Sequence, residues 1–122
     1  YNLQNNIYLL GYKKNIFEYM RIAKNIIIPS LWEDPGFVLI ESCYFGKNII
    51  CSDCKSGPKE ILNYGKNGIL FKNNSKEDFI KKFYFLKGLN ENELKIFKIK
   101  AKKISKNYTI FSHYKILSKY LI

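Results

Sequence analysis

The chain has 122 residues, of which 47% are hydrophobic, and its 21 basic and 10 acidic side chains give a net charge of +11. This length suits one domain with a modest core, and the composition excludes a disordered chain. The apolar runs are shorter than a membrane span, and no signal-peptide pattern opens the sequence. The basic surplus would suit phosphates, nucleic acid or an anionic membrane surface, but an AT-rich coding bias that spreads lysine along the chain would also produce it.

The sequence predicts alternating strands and helices. Short apolar runs rich in β-branched residues predict four buried strands, at residues 6–11, 25–28, 48–52 and 67–71. Helical spacing predicts helices over 15–24, 36–45 and 57–65, and Lys-rich helices follow residue 74. The predicted caps and breaks are Asn15, Gly46, Pro58, Gly65 and a Ser75–Asp78 capping box. Leu94, Phe97, Ala101 and Ile104 form a predicted core-facing stripe, and His113 is predicted to be partly buried.

Short apolar strands that are each followed by one helix predict a doubly wound parallel α/β sheet covered on both faces. Ligands bind such sheets at the carboxyl ends of the strands. The segment Ser30–Gly36 directly follows the second apolar run, so we expect it to lie at the ligand edge.

The three cysteines, Cys43, Cys51 and Cys54, are predicted to be reduced and buried. An odd number without an export signal is typical of cytoplasmic thiols. Cys51 and Cys54 have C-x-x-C spacing, but a zinc site needs a second pair of ligands and His113 is the only histidine. A redox pair usually opens a helix, whereas these two cysteines lie where a strand runs into a loop.

Two glutamates, Glu33 and Glu41, flank the start of the helix predicted after Gly36. Free N–H groups and the positive end of the helix dipole make that start an anion site, and glycine allows a phosphate to approach closely. Glu33 could simply favour the helix N-terminus electrostatically. Glu41 lies five residues inside the helix, about 7.5 Å from its start along the axis. Its neighbours in sequence are apolar, and an unpaired charge among them is costly, so we expect Glu41 to hold a ligand. A carboxylate can accept hydrogen bonds from two vicinal hydroxyls, as in a ribose.

The stretches "PSLWEDPGFVLIES" and "GKNIICSDCKSGPKEILNYGKNGILF" together resemble the nucleotide-sugar-binding half of retaining GT-B glycosyltransferases. The resemblance is to group 1 enzymes of the glycogen-synthase-like superfamily four, and it looks closest to bacterial enzymes that build surface or lipid-linked glycans. It covers residues 6–71 closely and the later helices loosely. The family's E-x7-E motif falls on Glu33 and Glu41.

The resemblance implies a role for each matched position. Glu33 would be the catalytic residue that contacts the donor sugar, and Glu41 would bind the ribose. Backbone N–H groups would reach the sugar or diphosphate, and backbone atoms near the first predicted strand would border the base. The positions implied for these backbone contacts are Gly36, Phe37, Val38 and Leu39 for the former and Gly11 and Tyr12 for the latter.

Two departures from the family pattern stand out. Asp34-Pro35 replaces the commoner Gly-Phe, which could alter sugar selectivity. The basic pair that neutralises the donor diphosphate in the family would lie upstream, because none of Lys13, Lys14 and Lys55 matches its position.

The implied reaction is transfer of a hexose from a nucleoside-diphosphate sugar, more often UDP, with retention and without a metal cofactor. The chain starts at Tyr1, so we expect residues 1–122 to be an incomplete donor-binding domain that is inactive by itself. The acceptor domain and the first strand–helix unit would be missing. The full protein would work in the cytoplasm, with peripheral contact to the inner membrane face, on a glycan or lipid-linked acceptor.

Two alternatives stay open. The first is a Rossmann-like scaffold domain that keeps the fold without binding a donor. The second is a nucleic-acid-binding module, motivated by the charge of +11 and the 16% aromatic content. That module would need basic residues interleaved with exposed aromatic residues on one face, whereas the aromatic residues here occupy apolar helical positions, so we expect no nucleic-acid partner.

Overall fold

The computed structural model describes residues 3–121, which form a parallel three-stranded sheet flanked by helices. The strands are β1 (Asn25–Ile28), β2 (Asn48–Asp53) and β3 (Ile69–Lys72), in the spatial order β1–β2–β3. Ile28 of β1 lies opposite Cys51 of β2, and Asp53 at the end of β2 lies opposite Lys72. Three of the four predicted strands are therefore confirmed, and so is the parallel α/β class.

The helices alternate with the strands and then continue beyond the sheet. They are α1 (Ile16–Ile22), α2 (Phe37–Tyr44), α3 (Pro58–Ile61), α4 (Lys76–Gly88), α5 (Glu91–Ser105) and α6 (Ile110–Leu117), with a 3₁₀ turn at Lys106–Tyr108. No helix between residues 3 and 121 combines the length and hydropathy that crossing a bilayer requires.

Both faces of the sheet are covered, as the doubly wound arrangement predicts. On one face Ile28, Leu39 and Ile49 belong to a core that α2, α3 and Ala101 of α5 complete. On the other face Ile50 and Phe71 pack with residues of α4 and with the first half of α5. The predicted stripe on α5 is thereby confirmed, because Leu94 and Phe97 contact the second core whereas Ala101 and Ile104 contact the first.

The predicted strand at residues 6–11 is wrong. This segment forms no strand and pairs with none of the strands within residues 3–121; its backbone makes only a local turn, in which Asn6 N–H donates to Leu3 O at 2.9 Å. Leu9 is 98% exposed. Apolar periodicity indicates a tendency to form a strand, but an extended segment becomes stable only when neighbouring strands satisfy its backbone.

Three local predictions fail in detail. Asn15 precedes α1, but its side chain donates to Glu18 Oε1 at 2.9 Å and caps no N–H group. Asp78 does not close a capping box with Ser75, because its carboxylate accepts from Lys72 N–H at 2.7 Å. His113 is exposed on α6. The first two failures are side-chain choices between two nearby partners, which sequence spacing does not decide.

Three of the other predicted helix ends are confirmed. Pro58 is the first residue of α3, and Ser75 caps α4 by accepting from Asp78 N–H at 3.2 Å. Gly46 follows the end of α2 with a positive φ of 60°. Gly65 has φ of 86° but does not end α3, because that helix stops at Ile61 and a turn fills the rest of the predicted 57–65 helix. All three cysteines are buried and free, as predicted.

Candidate functional site

The segment Ser30–Gly36, which we call the Glu33 loop, joins the carboxyl end of β1 to α2, as the sequence predicts. Its first part lies beside the carboxyl end of β2 and beside the segments that follow β2 and β3. Ser52 Oγ donates to Ser30 O, and Asn73 Nδ2 donates to Leu31 O at 3.0 Å. Trp32 forms an isolated parallel bridge with Lys55. The loop is therefore at the sheet edge where α/β proteins bind ligands.

Gly36 is the N-cap of α2 and adopts a left-handed conformation with φ of 81°. A Cβ at this position would lie 3.9 Å from Glu33 Oε2, so the carboxylate stands beside the start of the helix. Glu33 is half-buried. The Glu33 carboxylate thus lies next to the N-terminus of α2, which is the positive end of the helix dipole.

The backbone N–H groups at the start of α2 have no hydrogen-bond acceptor among the described residues. Within residues 3–121, the N–H groups of Gly36, Phe37 and Val38 make no hydrogen bond. Leu39 was predicted to offer its N–H group too, but that group donates to Gly36 O at 3.0 Å and the Leu39 side chain is fully buried. Three backbone donors, rather than four, are free to meet an anion.

Glu41 is half-buried in α2 between two apolar grooves. One has a volume of about 270 Å³ and includes Phe17, Tyr44 and Tyr108, and the other has about 300 Å³ and includes Met20. No lysine or arginine neutralises Glu41, since the one ion pair among residues 3–121 joins Lys59 to Asp53 at 2.9 Å. A carboxylate in such surroundings, without a counter-ion, is suited to accept hydrogen bonds from a ligand.

Other predicted site residues are not brought together. Glu33 lines neither groove beside Glu41, so the two carboxylates do not share one of these cavities. Tyr12 is 92% exposed, and nothing lies within 4 Å of the Cβ position of Gly11. Gly11 ends the segment that the sequence predicted as a strand and Tyr12 directly follows it, so no strand positions either residue, and their contact with a base stays a prediction.

Two buried thiols lie beneath the site. Burial raises the pKa of Cys51 to about 12, and negative charge on Cys54 and Glu33 contributes in the same direction. Burial alone raises the pKa of Cys43 to about 12. Both are therefore neutral thiols at physiological pH, which is consistent with a packing role. Between residues 3 and 121 no group of three or more His, Cys, Asp or Glu side chains is arranged to hold a metal ion.

Sequence reasoning did not identify the residues that support the loop. These residues are distant in sequence from the loop positions that they contact. Ser52 is 22 positions from Ser30 and Asn73 is 42 positions from Leu31. Gly57 is more than 20 positions from Pro35. Only Gly57 left a signal in the sequence, because it stands directly before Pro58 in "SGPKEIL". The structure shows the reason for a glycine there, a φ of 108°.

Residues 1–108 match the family described as "Glycosyl transferases group 1". An uncharacterized glycosyltransferase of Methanocaldococcus jannaschii is 38% identical over 106 residues, which cover 76% of this chain and 25% of that protein. The N-acetylgalactosamine-N,N'-diacetylbacillosaminyl-diphospho-undecaprenol 4-alpha-N-acetylgalactosaminyltransferase of Campylobacter jejuni is 30% identical, over 88% of this chain and 29% of its own length.

A solved structure is similar over nearly the whole chain. It is a mutant of Staphylococcus aureus TarM in complex with fondaparinux, alpha-GlcNAc-glycerol and UDP, and it superposes with a TM-score of 0.81 at 28% identity over 98% of this chain. This chain spans between 24% and 29% of the length of these three proteins. Because the family match covers most of the sequence and the parallel sheet agrees with it, the chain belongs to the group 1 glycosyltransferases, which have the GT-B fold.

Proposed function

We propose that residues 1–122 are the donor-binding domain, incomplete at its N-terminal side, of a retaining glycosyltransferase. The enzyme would transfer a hexose from a nucleoside-diphosphate sugar to a glycan or lipid-linked acceptor. The observation that carries this proposal is Glu41, a half-buried carboxylate with no counter-ion among residues 3–121. It lies in the same short helix whose first N–H groups have no acceptor within that range.

The donor would be bound by three groups in series, from α2 back to the Glu33 loop before it. Glu41 would accept hydrogen bonds from the two ribose hydroxyls, which replace the water that burial removes. The N–H groups of Phe37 and Val38 and the helix dipole would stabilise the diphosphate, whose charge grows as the sugar leaves. Glu33 would face the sugar and stabilise the positive charge that develops on it.

The similar proteins support UDP as the nucleotide and a lipid-linked or polymeric acceptor. The TarM structure contains UDP, and the Campylobacter relative is named for a sugar carried on diphospho-undecaprenol. By its name that relative transfers an N-acetylated hexose. For the present chain these remain proposals, since it spans about a quarter of each relative.

The rest of the full protein would supply what this chain lacks. The acceptor domain and the basic residues that neutralise the diphosphate would lie outside these residues. Because such cations and the α2 dipole can stabilise the leaving group, we propose a reaction that needs no metal. The net charge of +11 supports peripheral contact with the cytoplasmic face of an anionic membrane.

Calorimetric titration of the full-length protein with UDP-, GDP- and ADP-sugars tests this proposal. We expect one nucleotide-sugar to bind, and Glu41→Ala to weaken its binding at least about tenfold because charge-assisted hydrogen bonds are lost. Glu91→Ala is the matched control, since Glu91 is an exposed carboxylate in the first turn of α5. Binding and transfer that survive Glu41→Ala unchanged would instead support the scaffold alternative.

A further inference from the structure

The Glu33 loop is attached to the sheet mainly by side chains. Ser30 O and Leu31 O, the two carbonyl groups that lead into Trp32 and Glu33, accept hydrogen bonds from Ser52 Oγ and Asn73 Nδ2. Trp32 adds one backbone bridge to Lys55. Regular strand pairing ends at Ile28 on this side, so these few contacts determine where the backbone enters the loop.

The loop is also held beyond Glu33. A Cβ on Gly57 would lie 3.3 Å from Pro35 O, so the backbones of the two loops touch there. Gly36 approaches Ile61 of α3, whose Cδ1 would lie 3.5 Å from a Cβ at position 36. The backbone is therefore held on both sides of Glu33, and none of the contacts that hold it is made by Glu33.

Glu41 has a separate support. It belongs to α2, which is anchored in the core by Leu39 and Cys43, both fully buried. The contacts of Ser52 and Asn73 end at Ser30 and Leu31, well before that helix begins. Loosening the first part of the loop should therefore move Glu33 more than Glu41.

We propose that Ser52 and Asn73 are positioning residues that hold the Glu33 carboxylate against the donor sugar. This inference rests on the proposed function, because it concerns the geometry of the same site. It separates two tasks: α2 binds the nucleotide, and the side-chain contacts from β2 and from the segment after β3 align the sugar-facing carboxylate. A small misalignment of a reacting group can cost up to a hundredfold in rate while binding is retained.

Asn73 allows a substitution with little change of shape. Its Nδ2 makes the contact with Leu31 O, whereas its Oδ1 is buried and has no hydrogen-bond partner among the described residues. Asn73→Asp replaces the donor with a second acceptor, which repels the carbonyl group of Leu31. Ser52→Ala removes the other donor, and Ser52→Thr restores a hydroxyl group at the same position.

Asn48 provides the matched control because it makes the same kind of contact at the opposite end of β2. It is 1% exposed, and its Nδ2 donates to Asn25 Oδ1 at 3.1 Å and to Lys24 O at 3.5 Å. Asn48→Ala should lower thermal stability as Ser52→Ala does, but at the amino edge of the sheet, away from the Glu33 loop.

The test compares these variants in the full-length protein with UDP and with the UDP-sugar that the wild type uses. We expect Ser52→Ala and Asn73→Asp to lower kcat about tenfold while the Kd for UDP changes less than about twofold. We expect Ser52→Thr to recover most of the loss, and Asn48→Ala to leave kcat unchanged. A kcat that falls equally in Asn48→Ala, or a UDP affinity that falls as much as kcat, would overturn the inference.

Hydrogen–deuterium exchange in the peptide that contains residues 30–36 gives a readout that does not depend on turnover. Ser52→Ala and Asn73→Asp should speed exchange there at least about threefold, since the loop loses one of its few contacts. Unchanged exchange in both variants would overturn the inference even if the wild type is active. A wild type that exchanges as expected but turns over no nucleotide-sugar would overturn the proposed function instead.

Discussion

The carbonyl oxygen of Pro35 lies 3.3 Å from the position that a Cβ atom on residue 57 would occupy. Gly57 also has φ of 108°, a conformation that other residues rarely adopt. The Glu33 loop and the loop before α3 therefore meet in a way that only glycine permits.

Gly57→Ala should destabilise the protein and disturb the Glu33 loop together. The added methyl group would meet Pro35 O and Ile61 Cδ1, and the backbone would be strained by about 1–3 kcal/mol. Thermal unfolding and UDP-sugar turnover of the full-length variant measure both effects. Gly65→Ala is the control, because Gly65 also has a positive φ of 86° but the nearest atom to its Cβ position, Gly68 O, is 3.8 Å away. Equal stability and activity in the two variants would contradict the role given to this contact.

Gly36→Ala should weaken donor binding mainly through the backbone conformation. The space is sufficient, since the nearest atom to an added Cβ would be Ile61 Cδ1 at 3.5 Å, but φ is 81°. An L-residue there costs about 1–2 kcal/mol or shifts the start of α2. Because the free N–H groups of Phe37 and Val38 move with that start, affinity for UDP should fall by about tenfold. Calorimetry with UDP checks this, and an unchanged affinity would show that these N–H groups do not contact the diphosphate.

The sequence predicts the sheet well because β1, β2 and β3 are continuous apolar runs, and their pattern needs no knowledge of distant residues. It fails for residues 6–11, where the same pattern occurs but no strand among residues 3–121 pairs with it. It also places Glu33 at the correct edge, since Gly36 marks the start of α2 and the strand before the loop is unmistakable.

The supports of the site could not be predicted. Ser52 is one serine among several, and only the folded chain shows that its hydroxyl reaches Ser30 O. The engagement of the Leu39 N–H group is similar, because it depends on the tight turn that α2 makes at Gly36. Contacts between residues that are distant in sequence, and local choices between two acceptors, leave no periodic signal.

Gly68→Ala should be destabilising for a reason that involves only packing. Its added Cβ would lie 3.0 Å from Leu62 Cδ2 and 3.4 Å from Ile49 O. Leu62 is fully buried and cannot turn away, so we expect a loss of about 1–3 kcal/mol in the free energy of unfolding. Combining the change with Leu62→Val should recover part of the loss, which a double-mutant cycle would measure.

Gly88→Ala is the matched control for Gly68→Ala. Gly88 ends α4, and nothing lies within 4 Å of its Cβ position, so alanine there should leave stability unchanged or raise it by about 0.5–1 kcal/mol. A comparable loss in both variants would show that the effect at position 68 does not come from contact with Leu62.

The buried thiols should make the protein less stable at alkaline pH. Burial raises the pKa of Cys43 from about 9 to about 12, and Cys51 is shifted similarly. Between these values the unfolded chain releases the thiol protons while the folded chain retains them, so the unfolded state binds fewer protons and stability falls as pH rises. This stabilisation is complete below pH 9 and is lost progressively up to about pH 12. Each thiol should contribute a slope of about 1.4 kcal/mol per pH unit in the middle of that range.

Urea unfolding of the wild type and of Cys43→Ala at pH 8 and pH 10 isolates the contribution of one thiol. All other ionisable groups are common to both proteins, so their contributions cancel in the comparison. We expect the variant to be less stable at pH 8, since it leaves a small cavity in the core cluster that contains Leu39. Its stability should nevertheless fall less steeply between the two pH values. Parallel falls in the two proteins would mean that Cys43 ionises as readily in the folded chain as in the unfolded one. The thiol would then be reached by water, and the core beneath α2 would be open rather than sealed.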